Sequence, residues 1–590
     1  MARLSSIIIL SVTAVLFNLN LYSQEIPHSV SNYGIYDFLD ELANNQIISV
    51  NSAVKPYSRL DIAKLLEEAD GRRELLTPRQ MKELEFYLLD FGKELNGATV
   101  LVAKRRFRDS GKRYNGATED EGKQRFSDSG RSGDSAIAEN SGTANEPGGL
   151  KKVQWISGKK YQKRLDLFYY KDSLFSLTVN PILGGELFTN SSGEATYWRN
   201  GAEMHGHIHK FGFYASLRDN HEKPLLGRSQ YLTDREGGHL KGATDWSDMK
   251  GGISWSWKWG DIGLVRDRQV WGSNYNGANI FGGNNPSFVQ LYLNVKPVTW
   301  FEFNYFHGWL NSMVVDSSRS YWVDNSYGTD YREVYHKKYI AANMFTFTPF
   351  TNLHISFGNS IVYTDKHFNP AYIIPLFFYK SVDHSQTSGV DNMNSQMYLD
   401  ISSRNIKHLH LYTTLFVDEL SVKRFFLDDE WNFFSWKAGF RLDGFPVDNL
   451  ALTTEFTYSY PLSFQHYVPT LTFETMNYNL GHYLRDNSRE WYLALDYRPL
   501  RTMDIRFFFI DAIRGPDYTE LGTDRVGNPP LASVEWHNTS FGIKSSYQII
   551  NDLFVWFSFC HSNISGDKRW TPEYFYGQKN TLDFGVTAGF

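Results

Sequence analysis

Four stretches of the chain set aromatic rings beside amides, carboxylates and guanidinium groups: Tyr231, Asp234 and Trp246; Trp271, Asn274, Tyr275 and Asn276; Trp322, Asp324, Tyr327 and Tyr331; and Arg485, Asp486, Asn487 and Arg489. A sugar ring offers an apolar face that stacks on an aromatic side chain, and hydroxyls that pair with planar, bidentate groups. The composition therefore suits a polysaccharide. The candidate binding residues are Trp271, Asn274, Tyr275, Asn276, Trp322, Tyr327, Arg485 and Asn487. For any one tryptophan taken alone, a place in an aromatic girdle at a membrane interface is the stronger reading.

Other constellations carry less. In the run HGHIH, His205, His207 and His209 share one strand face, with Met204 and Ile208 on the other. Two imidazoles at i and i+2 can ligate one metal, but all three span about 13 Å at strand rise and no third ligand is identifiable. Polar residues lining a lumen are expected there, with no metal and no cofactor. Cys560, the only cysteine, ends the strand-like run LFVWFSFC and reads as a buried structural thiol, so no intramolecular disulfide forms. The chain holds no G-x-S-x-G, H-E-x-x-H, P-loop or C-x-x-C, which leaves no positive reason for an enzyme. A net charge of −5 with no basic stripe argues against nucleic acid as a partner.

These residues need elements to hold them. From about Ser176 to Phe590 the chain is a ladder of period-two segments. Leu582, Phe584, Val586, Ala588 and Phe590 oppose Thr581, Asp583, Gly585, Thr587 and Gly589; Leu452, Thr454, Phe456 and Tyr458 oppose Thr453, Glu455, Thr457 and Ser459. One face suits lipid and the other a wet interior. Short turns near His209, Gly260, Lys296–Val298, Pro349–Asn352, Asn405–Lys407, Gly444–Asn449, Pro499–Met503 and Ile549–Asp552 alternate with longer loops at 189–200, 219–250, 270–286, 310–338, 364–395, 419–432, 461–488, 513–534 and 561–579. The predicted fold is an all-β transmembrane β-barrel of about eighteen antiparallel strands in a bacterial outer membrane, with long loops extracellular and both termini periplasmic. A soluble sandwich or propeller also alternates, but its loops should not alternate in length so regularly. Lys437, Arg441, Glu455, Glu490, Asp496 and Arg506 should line the lumen, either setting the selectivity of an open pore or filling a closed barrel with ion pairs. Aromatics at 16% with a mean hydropathy of −0.42 fit such a barrel and not a helical membrane protein.

Ahead of the ladder, residues 1–23 read as a cleaved signal peptide: Arg3, an apolar run from Ile7 to Phe17, and a small residue at Ser23. No cysteine follows to carry a lipid. Residues 24–98 predict a helical bundle of three amphipathic helices. The first carries Ile35, Phe38, Leu39 and Leu42, the second starts at Ser58, and the third starts at Thr77 with Pro78 and Gln80 completing a capping box. Residues 99–160 read as a flexible linker of Gly, Ser, Asn and charge, and 161–590 as the barrel.

Several segments resemble the Wzi-type capsule assembly proteins in the form found among Bacteroidetes-like bacteria. They are YDFLDELANNQIIS and KPYSRLDIAKLLEEA, then YWRNGAEMHGHIHKFGFYASLRDN, DIGLVRDRQVWGSNYNGANIFGGNNPSF, NPAYIIPLFFY, LFVDEL and NLGHYLRDNSREWYL. The resemblance implies a monomeric outer-membrane barrel with a periplasmic helical bundle. It also implies a lectin-like role, holding capsular or related surface polysaccharide. Outer-membrane lipid and the barrel insertion machinery would be its other partners. A porin or substrate-specific channel is the alternative the same ladder allows, and an outer-membrane hydrolase the third.

Overall fold

Eighteen antiparallel strands, from Phe175–Asn190 to Gly577–Ala588, close into a barrel in sequence order in the computed structural model. The structure describes residues 25–95, 154–157 and 166–589, apart from 173, 227–232, 234, 241–243, 327, 365–366, 387–391, 519–525 and 551. The expected signal peptide and most of the expected linker lie outside these residues. Closure is made where Leu582–Ala588 runs against Thr189–Leu183. The earlier half of that first strand pairs instead with Asp166–Lys171, on which Gln154–Ser157 pairs in turn.

Burial is inverted relative to a water-soluble sheet. Along Leu450–Ser459, Thr453, Glu455, Thr457 and Ser459 are buried while the alternate apolar residues are only half covered. In the last strand Leu582, Phe584 and Val586 are exposed, and Thr581 and Thr587 are buried. A polar inside and an apolar outside are what a lipid-facing barrel requires.

The short turns fall where the sequence places them, at one end of the barrel. Several turn on a left-handed residue, with His209 at φ 55°, Asn352 at 65° and Asn449 at 64°, a region that Asn and His enter more readily than most. One expected loop is different. Residues 189–200 belong to a hairpin between Phe175–Asn190 and Gly193–Ile208, and only Ser191 and Ser192 turn. Ala195 and Tyr197 face inward there, while Glu194 and Thr196 face outward. Those polar outward side chains, on a strand that runs past the apolar band, hide the alternation.

Three helices pack against the short-turn end: α1 (Tyr33–Asn44), α2 (Arg59–Asp70) and α3 (Pro78–Phe91). The starts of α2 and α3 follow the sequence signals. Ser58 accepts from the Asp61 amide at 2.9 Å, and Thr77 and Gln80 cap each other reciprocally. Phe38, Leu39, Leu42, Ile62, Leu66, Leu84 and Phe91 form one core between them. The bundle is tied to the turns below it: the Asn44 carbonyl accepts from His408 N at 2.6 Å, and Arg79 donates to Asn449 at 2.6 Å.

The tie with the most partners is Arg404, fully buried at the mouth. It donates to Asn44 at 2.6 Å, the Val50 carbonyl at 3.1 Å, Asp40 at 2.7 Å and Ser52 at 2.7 Å. Arg404→Ala would leave the buried Asp40 carboxylate without this guanidinium, at a cost of about 3–5 kcal/mol. The helical circular-dichroism signal of that variant should melt well below the wild-type transition. Unchanged melting would mean that the helices are held by other contacts.

Candidate functional site

The inward residues of neighbouring strands converge on one loop. Lys437 on Phe433–Asp443 and Glu455 on Leu450–Ser459 are both without solvent contact, with Nζ 2.9 Å from the carboxylate. Glu455 also accepts the Tyr412 hydroxyl and two successive backbone amides, Tyr275 N at 2.7 Å and Asn276 N at 2.9 Å. Lys437 donates to the Asn276 carbonyl at 3.0 Å, and the Asn276 side chain to Glu490 at 2.9 Å. Asp400 takes Ser273 N at 2.7 Å. Residues 268–287, which take in the loop expected at 270–286, are thus clamped across the lumen.

An apolar core forms on this clamp, inside the barrel. Trp271, 1% exposed, meets Phe281 and Phe306 edge-on at 5.2 Å each. Its short strand, Val270–Trp271, is sandwiched between Val54–Lys55, from the segment joining α1 to α2, and Phe281–Gly282. A second loop, 460–487, enters from the same end: Gly282 N donates to the Leu480 carbonyl at 2.7 Å, and Phe464, Phe473 and Leu480 join the core. A third contributes Glu236, which pairs with Arg218 at 2.5 Å, Arg268 at 2.8 Å and Lys250 at 3.1 Å. Burial works against ionisation of Glu236, but the three cations outweigh it and hold the carboxyl well below the usual range.

The expected binding residues are therefore divided. Trp271, Tyr275 and Asn276 lie within the lumen filling, and Asn274 turns its amide back onto the Gly272 carbonyl at 2.7 Å. Asn487 is buried, bridging the Pro516 carbonyl at 2.9 Å and Leu531 N at 2.7 Å. Arg485 is partly exposed and pairs with Glu474 at 2.9 Å. Tyr327 lies outside the described residues, as do Tyr231 and Asp234. Among the described residues of the set Trp322 alone stands free, 68% exposed on a hairpin of Tyr321–Asn325 and Gly328–Arg332, directly opposite Tyr331 with ring centroids 5.0 Å apart. The base of this hairpin is pinned by Asp316, whose carboxylate accepts from Ser318 and Arg319 and is held down to about 2 by those hydrogen bonds.

The expected lumen residues all face inward, yet they bind protein. Arg441 pairs with Asp443 at 3.1 Å and Asp496 at 2.9 Å; Arg506 pairs with Asp496, which lies beside it across the strands. Arg498 carries the network on to Asp37 of α1 at 2.8 Å. Arg404, Arg268 and Glu236 were not singled out by sequence reasoning. Each acts through a long-range partner that no local pattern announces.

Superposition on solved structures places this fold beside Wzi of Escherichia coli, an outer-membrane protein involved in group 1 capsule assembly and a carbohydrate-binding β-barrel. The match covers 96% of this chain and 100% of that one, with a TM-score of 0.53 at 10% identity. OccD3 (OpdP) of Pseudomonas aeruginosa matches over 70% of this chain and 90% of its own, with a TM-score of 0.39 at 12% identity. No family model and no curated protein sequence matches the chain. The likeness to Wzi suggested by scattered motifs is present as a shared fold.

Two outcomes test this geometry. Glu455→Leu strands the Lys437 ammonium in the wall and frees the Tyr275 and Asn276 amides, at a cost of about 3–5 kcal/mol. Proteolytic cutting within 268–287 should accelerate in that variant and not in wild type. Separately, burial pushes the Asp486 carboxyl up to about 6 from an ordinary 3.8, while it accepts from Phe464 N at 2.6 Å. The folded chain then keeps a proton there that the unfolded chain has released, so this contribution to stability falls as pH rises from about 4 to about 6. Asp486→Asn should flatten that part of the unfolding profile.

Proposed function

We propose that this protein is an outer-membrane, lectin-like protein that binds and anchors capsular or related surface polysaccharide, with its long loops outside the cell and both ends in the periplasm. The observation that carries the reading is the pairing of a filled lumen with an exposed aromatic hairpin. The loops at 268–287 and 460–487 and the strand Val54–Lys55 occupy the space a permeating solute would need. Trp322, Tyr331 and Tyr321 stand out at the long-loop end, where stacking on sugar faces costs no unfolding. The Wzi fold, with a carbohydrate-binding example, supports the same reading.

Binding is multivalent on this view. One aromatic pair holds a sugar weakly, but a polymer presents the same unit repeatedly, so a ring that lets go is replaced by the next. The candidate platform is Trp322 with Tyr331 and Tyr321; Arg485, partly exposed near the same end, is the candidate cation.

Trp322→Ala should weaken binding of purified cell-surface polysaccharide about tenfold, roughly 1.4 kcal/mol, with thermal unfolding unchanged. Trp271→Ala should do the reverse, losing about 3–5 kcal/mol of stability through the cavity it opens. Loss of Trp322 with full polymer retention on cells would exclude the hairpin as the platform. Reconstituted in a planar bilayer, the wild-type protein should be nearly silent; stepwise conductance would favour a channel instead.

A further inference from the structure

One long connection neither enters the lumen nor stands free. Between the strands Leu353–Tyr363 and Met393–Ser403, the described residues 367–386 lie against the outside of the barrel. Nearer the short turn the outward face of the strand Leu353–Tyr363 is bare: Phe357 is 49% exposed. Above Phe357 the outward residues Tyr305, Ala341, Ile361 and Tyr363 are buried, because Tyr372 and Tyr379 of this connection pack on them as a separate exterior cluster.

Two polar residues on that outward face hold it down. Asn343 and Asn359 are directly paired across adjacent strands, and both are buried. The Asn343 amide donates to the Pro375 carbonyl at 2.8 Å and the Phe377 carbonyl at 3.0 Å; its oxygen accepts from the Asn359 amide at 2.8 Å, and Asn359 accepts from Tyr379 N at 2.9 Å. Tyr305 donates to the Tyr372 carbonyl at 2.9 Å. Irregular backbone is tolerated at membrane depth only where protein satisfies it, and these contacts satisfy the Tyr372, Pro375 and Phe377 carbonyls and the Tyr379 amide. From Phe350, at the short turn, to Asn343 the strand climbs roughly 18 Å along the barrel axis at ~3.3 Å per residue and a tilt of ~40°, inside an apolar band ~25 Å tall. The outer side of the descending tip is apolar: Ile374, Phe378 and, at 66% exposed, Leu376.

We propose that residues 367–379 form a re-entrant collar whose tip, Ile374 to Phe378, sits among the lipid acyl chains of the long-loop-side leaflet, fastened to the barrel wall by Asn343 and Asn359. The occupant of the apolar surface is lipid because the tip lies level with the bare lipid-facing belt and continues it. The collar clads the strands Phe301–Val315 and Tyr335–Phe350, which carry the Trp322 hairpin between them. It therefore stiffens the stalk of that hairpin from the membrane side. The inference rests on the membrane placement proposed above and not on polysaccharide binding.

The test uses the full chain in lipid vesicles with Cys560→Ser, so that single labels can be placed. Nitroxides at Leu376→Cys, Phe357→Cys and Trp322→Cys are compared for collision with oxygen, which dissolves in the bilayer, and with a neutral nickel chelate, which stays in water. Position 376 should match position 357, oxygen-accessible and nickel-protected, while position 322 shows the opposite. A nickel-accessible label at 376 overturns the proposal by putting the tip in water. Protection from both reagents overturns it equally, since protein and not lipid would then cover the tip. Failure of position 357 to show lipid exposure would instead overturn the membrane placement, so the two failures are distinguishable.

Discussion

The clamp of Lys437 and Glu455 on the backbone of Tyr275 and Asn276 is the constraint on which the rest of the interior depends. An ion pair with no solvent contact is costly to desolvate, and attraction between the two charges offsets that cost only when the remaining polar valences are filled. Here they are filled by the loop itself, two amides and one carbonyl, together with the Tyr412 hydroxyl. Neither the wall nor the loop is satisfied without the other. Once the loop is fixed, Trp271 and Phe281 have a place to pack, Gly272 N reaches the Ala53 carbonyl at 2.8 Å, and the segment between the first two helices is drawn into the barrel.

The result is a barrel with two kinds of interior. Around the clamp and above it lies a dry aromatic core of the sort a globular protein would have. Toward the short turns lies a polar layer in which Arg404, Arg441 and Arg498 meet acidic residues of the helices and strands. These charges hold parts of the chain to one another. On the function proposed above, a lumen so occupied leaves the long-loop end as the surface on which a large ligand is met.

The long connections differ in fate for a physical reason. Loops rich in amides and small residues, such as SNYNGANIFGGNN, can satisfy a polar wall and fold inward. The connection NPAYIIPLFFY is too apolar to lie in water and lies on the outer wall instead. The hairpin of Trp322 and Tyr331 pairs with itself and needs neither.

Much of this was written locally. Period-two alternation placed the strands and their inward and outward faces, the hairpin over 189–200 excepted, because in lipid the two faces cannot be exchanged; capping residues placed the starts of α2 and α3. The inward position of Lys437, Arg441 and Glu455 followed from the same alternation. What these charges bind did not, since Glu455 meets residues 180 and 179 positions away, and no spacing encodes that. The same holds for the aromatic candidates. Trp271 and Trp322 look alike in sequence, each a tryptophan near amides and a tyrosine, yet one is buried in the core at 1% and the other is 68% exposed. Only the tertiary structure separates them, because burial is decided by which wall a loop finds, and that depends on partners supplied by distant strands.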